Sequence, residues 1–175
     1  MIFIGFGFLM TFIKFHSWSA VGFNLLIATW SIQISILFIS FWAGAFHGFE
    51  QIELTVESLI KGDFAAGAVL IAFGAVLGKV NVIMLFIMAI SQLFFYTLNE
   101  EIGVGVFHAS DAGGSMYVHT FGALFGVGCA WMYRPKGYKE VPNSSYYNML
   151  FSTIGSIFLW MYWPSFNGAL ASGNS

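Results

Sequence analysis

Long apolar runs alternate with short polar ones along the chain. The apolar runs are Ile2–Phe12, Ser19–Trp42, Phe64–Gly78, Val80–Leu98, Ala112–Tyr133 and Tyr147–Trp163. The charges fall between them: Lys14, the stretch from Glu50 to Asp63, Lys79, Glu100, Glu101, Asp111, and the stretch from Arg134 to Glu140. A helix needs about 20 apolar residues to cross the hydrocarbon core. The pattern predicts an all-α fold, a polytopic transmembrane helical bundle of about six spans. The third run is short and borrows Gly62 and Asp63. The first is too short to cross, starts at full hydrophobicity, and reads as the tail of a longer helix. It lacks the basic lead-in of a signal peptide, because Lys14 follows the apolar run. The whole of 1–175 reads as one partial transmembrane domain with no separate soluble domain.

Composition narrows the class. The chain is 58% hydrophobic, 19% aromatic and 8% charged, against roughly 25% charged for a soluble domain. A soluble fold of this size would leave too much apolar surface in water. A formal net charge of −2 gives no basic footprint, so no nucleic-acid partner is expected. A single cysteine, Cys129, excludes an internal disulfide framework. The partner implied is the lipid bilayer. Alternating spans put Lys14, Lys79, Arg134, Lys136 and Lys139 on one side and Lys61 on the other, a positive-inside bias. The acidic loops, with Glu100, Glu101 and Asp111, then face outside. Asn143-Ser144-Ser145 matches a glycosylation sequon on the cytoplasmic side and reads as unused.

Candidate chemistry lies on the third and fifth runs. At 100° per residue, Ala112, Ser115, Gly122, Ala123 and Gly126 share the face of His119. Gly122-x-x-x-Gly126 is a small-xxx-small packing pattern. His119 lies eight residues beyond Asp111, ~12 Å along a helix. An imidazole at that depth reads as a pathway residue, or as a core histidine bonded to a neighbour. On the third run Gly67, Ala68, Ile71, Ala75 and Gly78 share the face of Phe64, and Gly74-x-x-x-Gly78 suggests close packing. Phe64 reads as an interfacial anchor, or as a plug over a path lined by the small residues. Asp111 precedes Ala-Gly-Gly-Ser and suits the free N–H groups of a helix start, with direct cation binding the rival reading. Glu100 and Glu101 form an outer rim that is solvated or concentrates cations. His16, His47 and His108 sit at span ends. Glu50, Glu53 and Glu57 read as a solvated helical face. No nucleophile–base–acid set, phosphate loop or two-histidine metal spacing is present, so neither an enzyme nor a cofactor is expected.

The run DAGGSMYVHTFGALFG (111–126) closely resembles the fifth pore-lining helix of Rh glycoproteins, within the ammonium-transporter superfamily. IFIGFGFLMTF (2–12), SAVGFN (19–24), AFGAVLGKV (72–80) and FLWMYWPSFN (158–167) are similar too. The resemblance implies a homotrimer of multi-pass bundles in the plasma membrane, each subunit with a pore between two inverted halves. It implies recruitment of ammonium outside and conduction of neutral ammonia, with methylammonium and carbon dioxide as further candidate substrates. On it, His119 is the first of two pore histidines and Phe64 one of two stacked gate phenylalanines. Asp111 shapes the recruitment site, and Glu100 is a vestibule acid. The second histidine, the second gate phenylalanine and the opposing wall are expected to lie outside this chain, which reads as a fragment. The alternative within the family is a non-conducting Rh-type structural subunit.

Overall fold

The computed structural model describes residues 1–13, 17–49, 51–133 and 144–169. Lys14, His16, Glu50, Arg134, Lys136, Lys139, Asn143 and the polar end Ala171–Ser175 lie outside the described residues, so four of the five basic residues behind the orientation do too. Among the described residues every regular element is helical. They are α1 (Ile2–Leu9), continued by a tight turn at Met10–Phe12; α2 (Ser17–His47); α3 (Val56–Val76); α4 (Val82–Glu100); α5 (Phe121–Met132); and α6 (Tyr146–Asn167). Two wide π-helical turns flank the α4–α5 connection, Glu101–Val106 after α4 and Ser115–Thr120 before α5. Three segments are long and apolar enough to cross a membrane: Ser17–His47, Val56–Val76 and Val82–Val106. Ile2–Phe12 is apolar but short, as expected from the sequence.

The helices start where polar side chains can take up free N–H groups. Thr55 and Ser58 form a capping box on α3: Ser58 N–H donates to Thr55 Oγ1 (3.1 Å) and Thr55 N–H donates to Ser58 Oγ (2.9 Å). This start lies six residues before Gly62, the first residue that the third run was expected to borrow. Glu57 and Lys61 therefore belong to the same helix as Phe64. On α4, Met84 N–H donates to Asn81 Oδ1 (2.9 Å).

Helix α3 is the centre of the bundle. An apolar helix without a polar face is a buried one, and Ala65, Ala66, Ala68, Val69, Leu70, Ala72 and Val76 are fully buried. Helix α5 comes close because its contact face is glycine. A methyl added at Gly122 would sit 2.8 Å from the Ala68 carbonyl oxygen, and one at Gly126 would sit 2.7 Å from Ala72 Cα. The Gly122-x-x-x-Gly126 reading is therefore packing. The matching expectation for Gly74-x-x-x-Gly78 fails. The helix ends at Val76, Gly78 stands beyond it with φ +75°, and Gly74 has only the Met10 methyl near it, at 3.9 Å.

Helices α1 and α6 are joined by polar side chains at their shared end. Asn148 Nδ2 donates to the Thr11 carbonyl (2.7 Å) and Ser152 Oγ to the Leu9 carbonyl (3.0 Å). Asn24 Nδ2 of α2 donates to the Phe3 carbonyl (2.8 Å). In a membrane such bonds tie helices that hydrophobicity alone would not distinguish from lipid. Trp131, Trp160 and Phe107 stand outward, each more than 70% exposed.

Candidate functional site

The connection from α4 to α5 and the N-terminal half of α3 enclose an open cavity of about 500 Å³. Phe64, Glu100 and Asp111, three of the four residues singled out from sequence, line it, and His119 does not. Lys61, Tyr96, His108 and Asn167 complete the parts of its wall that carry chemistry.

Asp111 is the hub of the α4–α5 connection. Gly113 and Gly114 follow it in left-handed backbone, φ +81° and +73°, a conformation open to glycine at little cost. This turn folds the carboxylate back over the start of the next helix. Oδ2 accepts from the N–H groups of Met116 (2.8 Å) and Tyr117 (3.0 Å), and Oδ1 accepts from Ser115 Oγ (2.7 Å). Partial burial works against the charge, but the Ser115 hydroxyl and the backbone N–H groups outweigh it and hold the carboxyl below the usual range. The reading of Asp111 as a helix-start ligand is thus what the geometry displays.

Glu100 ends α4 beside the cavity, and Tyr96, one turn earlier and 1% exposed, turns its hydroxyl to that carboxylate. Glu101 points elsewhere: its Oε1 lies 3.0 Å from His47 Nε2 at the end of α2. The two acids expected to form one rim therefore divide, one to the cavity and one to a hydrogen bond with His47. His108 enters the wall with φ 53°.

Phe64 is 4% exposed. It stacks on Phe166 of α6, ring centroids 4.4 Å apart and planes 27° from parallel. An aromatic partner for Phe64 was expected outside the chain, and the structure supplies one within it. Phe166 packs on Trp163 (5.6 Å), and Trp163 on His119 (5.1 Å, 47°). With its amide turned so that both bonds form, Asn167 accepts from Trp163 Nε1 (2.9 Å) and donates to the Gly113 carbonyl (3.3 Å). An unbroken line of rings thus runs from the cavity wall to the half-buried His119.

His119 departs from the helical-wheel expectation in two ways. The helix begins at Ser115, so His119 lies four residues beyond its start and not the eight counted from Asp111. The π-helical turn also pairs residues five apart, with His119 N–H donating to the Gly114 carbonyl (3.0 Å) and Thr120 Oγ1 to the Ser115 carbonyl (2.9 Å). Gly122 and Gly126 pack on Ala68, Ala72 and Ala75 of α3, while Ala123, placed on the same face by the wheel, is exposed. The imidazole faces α6 instead. Sequence reasoning missed Phe166, Trp163 and Asn167; the one available signal was that they sit together in FLWMYWPSFN. Among the described residues no group of three or more His, Cys, Asp or Glu could hold a metal ion.

Comparison with known proteins places this geometry. The model of the Ammonium Transporter Family matches residues 1–175. Ammonium transporter Rh type C of Sus scrofa is 50% identical over 174 residues, covering 98% of this chain and 37% of the relative. Ammonium transporter Rh type B of Danio rerio is 49% identical over 173 residues, covering 97% and 37%. Rh50 of Nitrosomonas europaea, a solved structure described in terms of conduction by the Rhesus family of channels, superposes with a TM-score of 0.86 at 29% identity. That match covers 99% of this chain and 46% of that one. The chain thus spans little more than a third of the length of these curated relatives.

Proposed function

The chain belongs to the Ammonium Transporter Family, and on that premise we propose that the protein carries ammonium across a membrane. The cation is drawn into the outer cavity, leaves its proton on that side, and passes as neutral ammonia beyond the Phe64–Phe166 stack and past His119. The observation that carries this reading is the order of groups: acids at the cavity, stacked rings at its wall, and beyond them the His119 imidazole against Trp163, one turn of α6 from Phe166.

Each group has a physical task in that sequence. A cation at the bilayer centre is costly, so the charge must be shed before the apolar segment. Glu100, with the negative field of Asp111 behind it, raises the local concentration of cations. The stacked rings are a low-dielectric barrier that a neutral molecule crosses at far less cost than an ion. Imidazole can donate with one nitrogen and accept with the other, replacing hydrogen bonds that ammonia loses on leaving water. Sodium and potassium have no proton to lose, and the barrier turns them back. The half-exposed side of His119 and the outward apolar faces of α5 and α6 would meet further helices of the full-length protein, in a homotrimer at the plasma membrane.

The test is methylammonium uptake by the full-length protein, with and without His119→Ala. Uptake falls at least tenfold in the variant on this reading; unchanged uptake removes His119 from the path. No uptake by the unsubstituted protein at all would put the chain among structural subunits.

A further inference from the structure

We propose that Lys61 is a tethered competitor of the transported cation, an ammonium group held at the cavity wall that sets how strongly the vestibule draws a free one. The inference rests on the transport reading above and adds a residue to it.

Four observations converge on this side chain. Lys61 lines the same cavity as Phe64, Glu100 and Asp111, and among the described residues that line it, no other is a lysine or arginine. It precedes Phe64 by three residues, which puts both on one face of α3, with the ammonium one turn nearer the mouth. Its Nζ lies 3.0 Å from Glu57 Oε1, one turn back on the same helix. Glu100, at the end of α4, lines the same space that this charge enters.

The chemistry of the group gives the pair its meaning. A lysine head is an alkylammonium: a compact positive charge with three N–H donors and no acceptor. Methylammonium is the same group on a shorter stem. Any oxygen that receives one can receive the other, so Lys61 and an incoming cation compete for the Glu100 carboxylate. The side chains of Lys61 and Glu57 are 40% and 67% exposed, so their ion pair is a weak tether and not a lock. Glu57 draws the ammonium to the rim and leaves Glu100 more open. A site that feeds a passage must bind firmly enough to fill and loosely enough to empty. A resident cation beside the acid loosens it.

The experiment is methylammonium uptake kinetics in the full-length protein, at low and at high ionic strength. Lys61→Gln is expected to lower KM about two- to fivefold, the size of one exposed charge pair, with the maximal rate unchanged. Lys61→Arg keeps the charge and stays near the original KM, which separates charge from packing. Glu57→Gln frees the lysine and raises KM. The double variant Glu57→Gln with Lys61→Gln matches Lys61→Gln alone, because Glu57 acts through the lysine. The KM differences shrink as salt screens the charges. An unaltered KM in Lys61→Gln, or a double variant with KM well above that of Lys61→Gln, overturns the role given to Lys61 while leaving transport intact. Absence of saturable uptake in the unsubstituted protein overturns the transport reading and this inference together.

Discussion

Phe166 of α6 lies against Phe64 of α3 with ring centroids 4.4 Å apart, although the two are separated by 102 positions in the chain. Phe64 is fixed by the bundle centre, where the neighbouring turns of α3 are fully buried. Phe166 is fixed from the other side by Trp163, whose indole nitrogen is held by Asn167. Two independently anchored rings therefore meet at the cavity wall.

Such a pair should show coupling. Stacked aromatic pairs contribute about 0.5–1.5 kcal/mol beyond their area burial. Phe64→Leu and Phe166→Leu each remove the stack while keeping most of the apolar volume. The expected result is that the double variant of the full-length protein is less destabilised than the sum of the singles, by about that coupling energy. Thermal unfolding in detergent checks it. Strictly additive losses would mean that the rings touch without supporting one another.

Asp111 gives a prediction with a pH sign. Its carboxylate accepts from Ser115 Oγ and from the N–H groups of Met116 and Tyr117, and its pKa is lowered. A group with a depressed folded pKa stabilises the fold above its unfolded value of about 3.9. That contribution is lost as pH falls through the folded value. Asp111→Ala should cost about 0.5–2 kcal/mol at neutral pH, the usual worth of a helix-start ligand. The unfolding curves of the variant and the unsubstituted protein should converge toward acid pH. A gap of constant size at every pH would show that ionised Asp111 adds nothing special.

The contrast between Asp111 and Phe166 shows what was readable from sequence. Asp111 could be assigned because a carboxylate followed by two glycines and then an apolar run has one sterically simple use. Phe166 could not, because it lies among Phe158, Trp160, Tyr162 and Trp163, where no periodicity separates one ring from the next. The start of α3 was misplaced for a related reason. Glu57 and Lys61 interrupt the apolar run by hydropathy, and the capping box uses Ser58 where the usual signature has Glu or Gln. The π-helical turns have no composition signal, and His119 lies within one of them with its ring against Trp163. The six apolar helices, their order and the close packing at Gly122 and Gly126 followed from pattern; the ring line did not.

The two Gly-x-x-x-Gly strings make the last test, because sequence treats them alike and structure does not. At Gly126 a methyl would lie 2.7 Å from Ala72 Cα and 3.1 Å from Ala75 Cβ. The nearest atom is backbone at the centre of a buried helix, so the helices would have to separate. Overpacking of that kind costs about 1–3 kcal/mol. At Gly74 the nearest atom is the flexible end of Met10, 3.9 Å away, which is ordinary contact. Alanine there removes the entropy penalty of glycine within a helix and should be neutral or stabilising by about 0.5–1 kcal/mol. Gly126→Ala should therefore lower the unfolding midpoint of the full-length protein while Gly74→Ala holds or raises it. Equal tolerance at both positions would mean that α3 and α5 are not in backbone contact, and the placing of His119 beside Trp163 would lose its foundation.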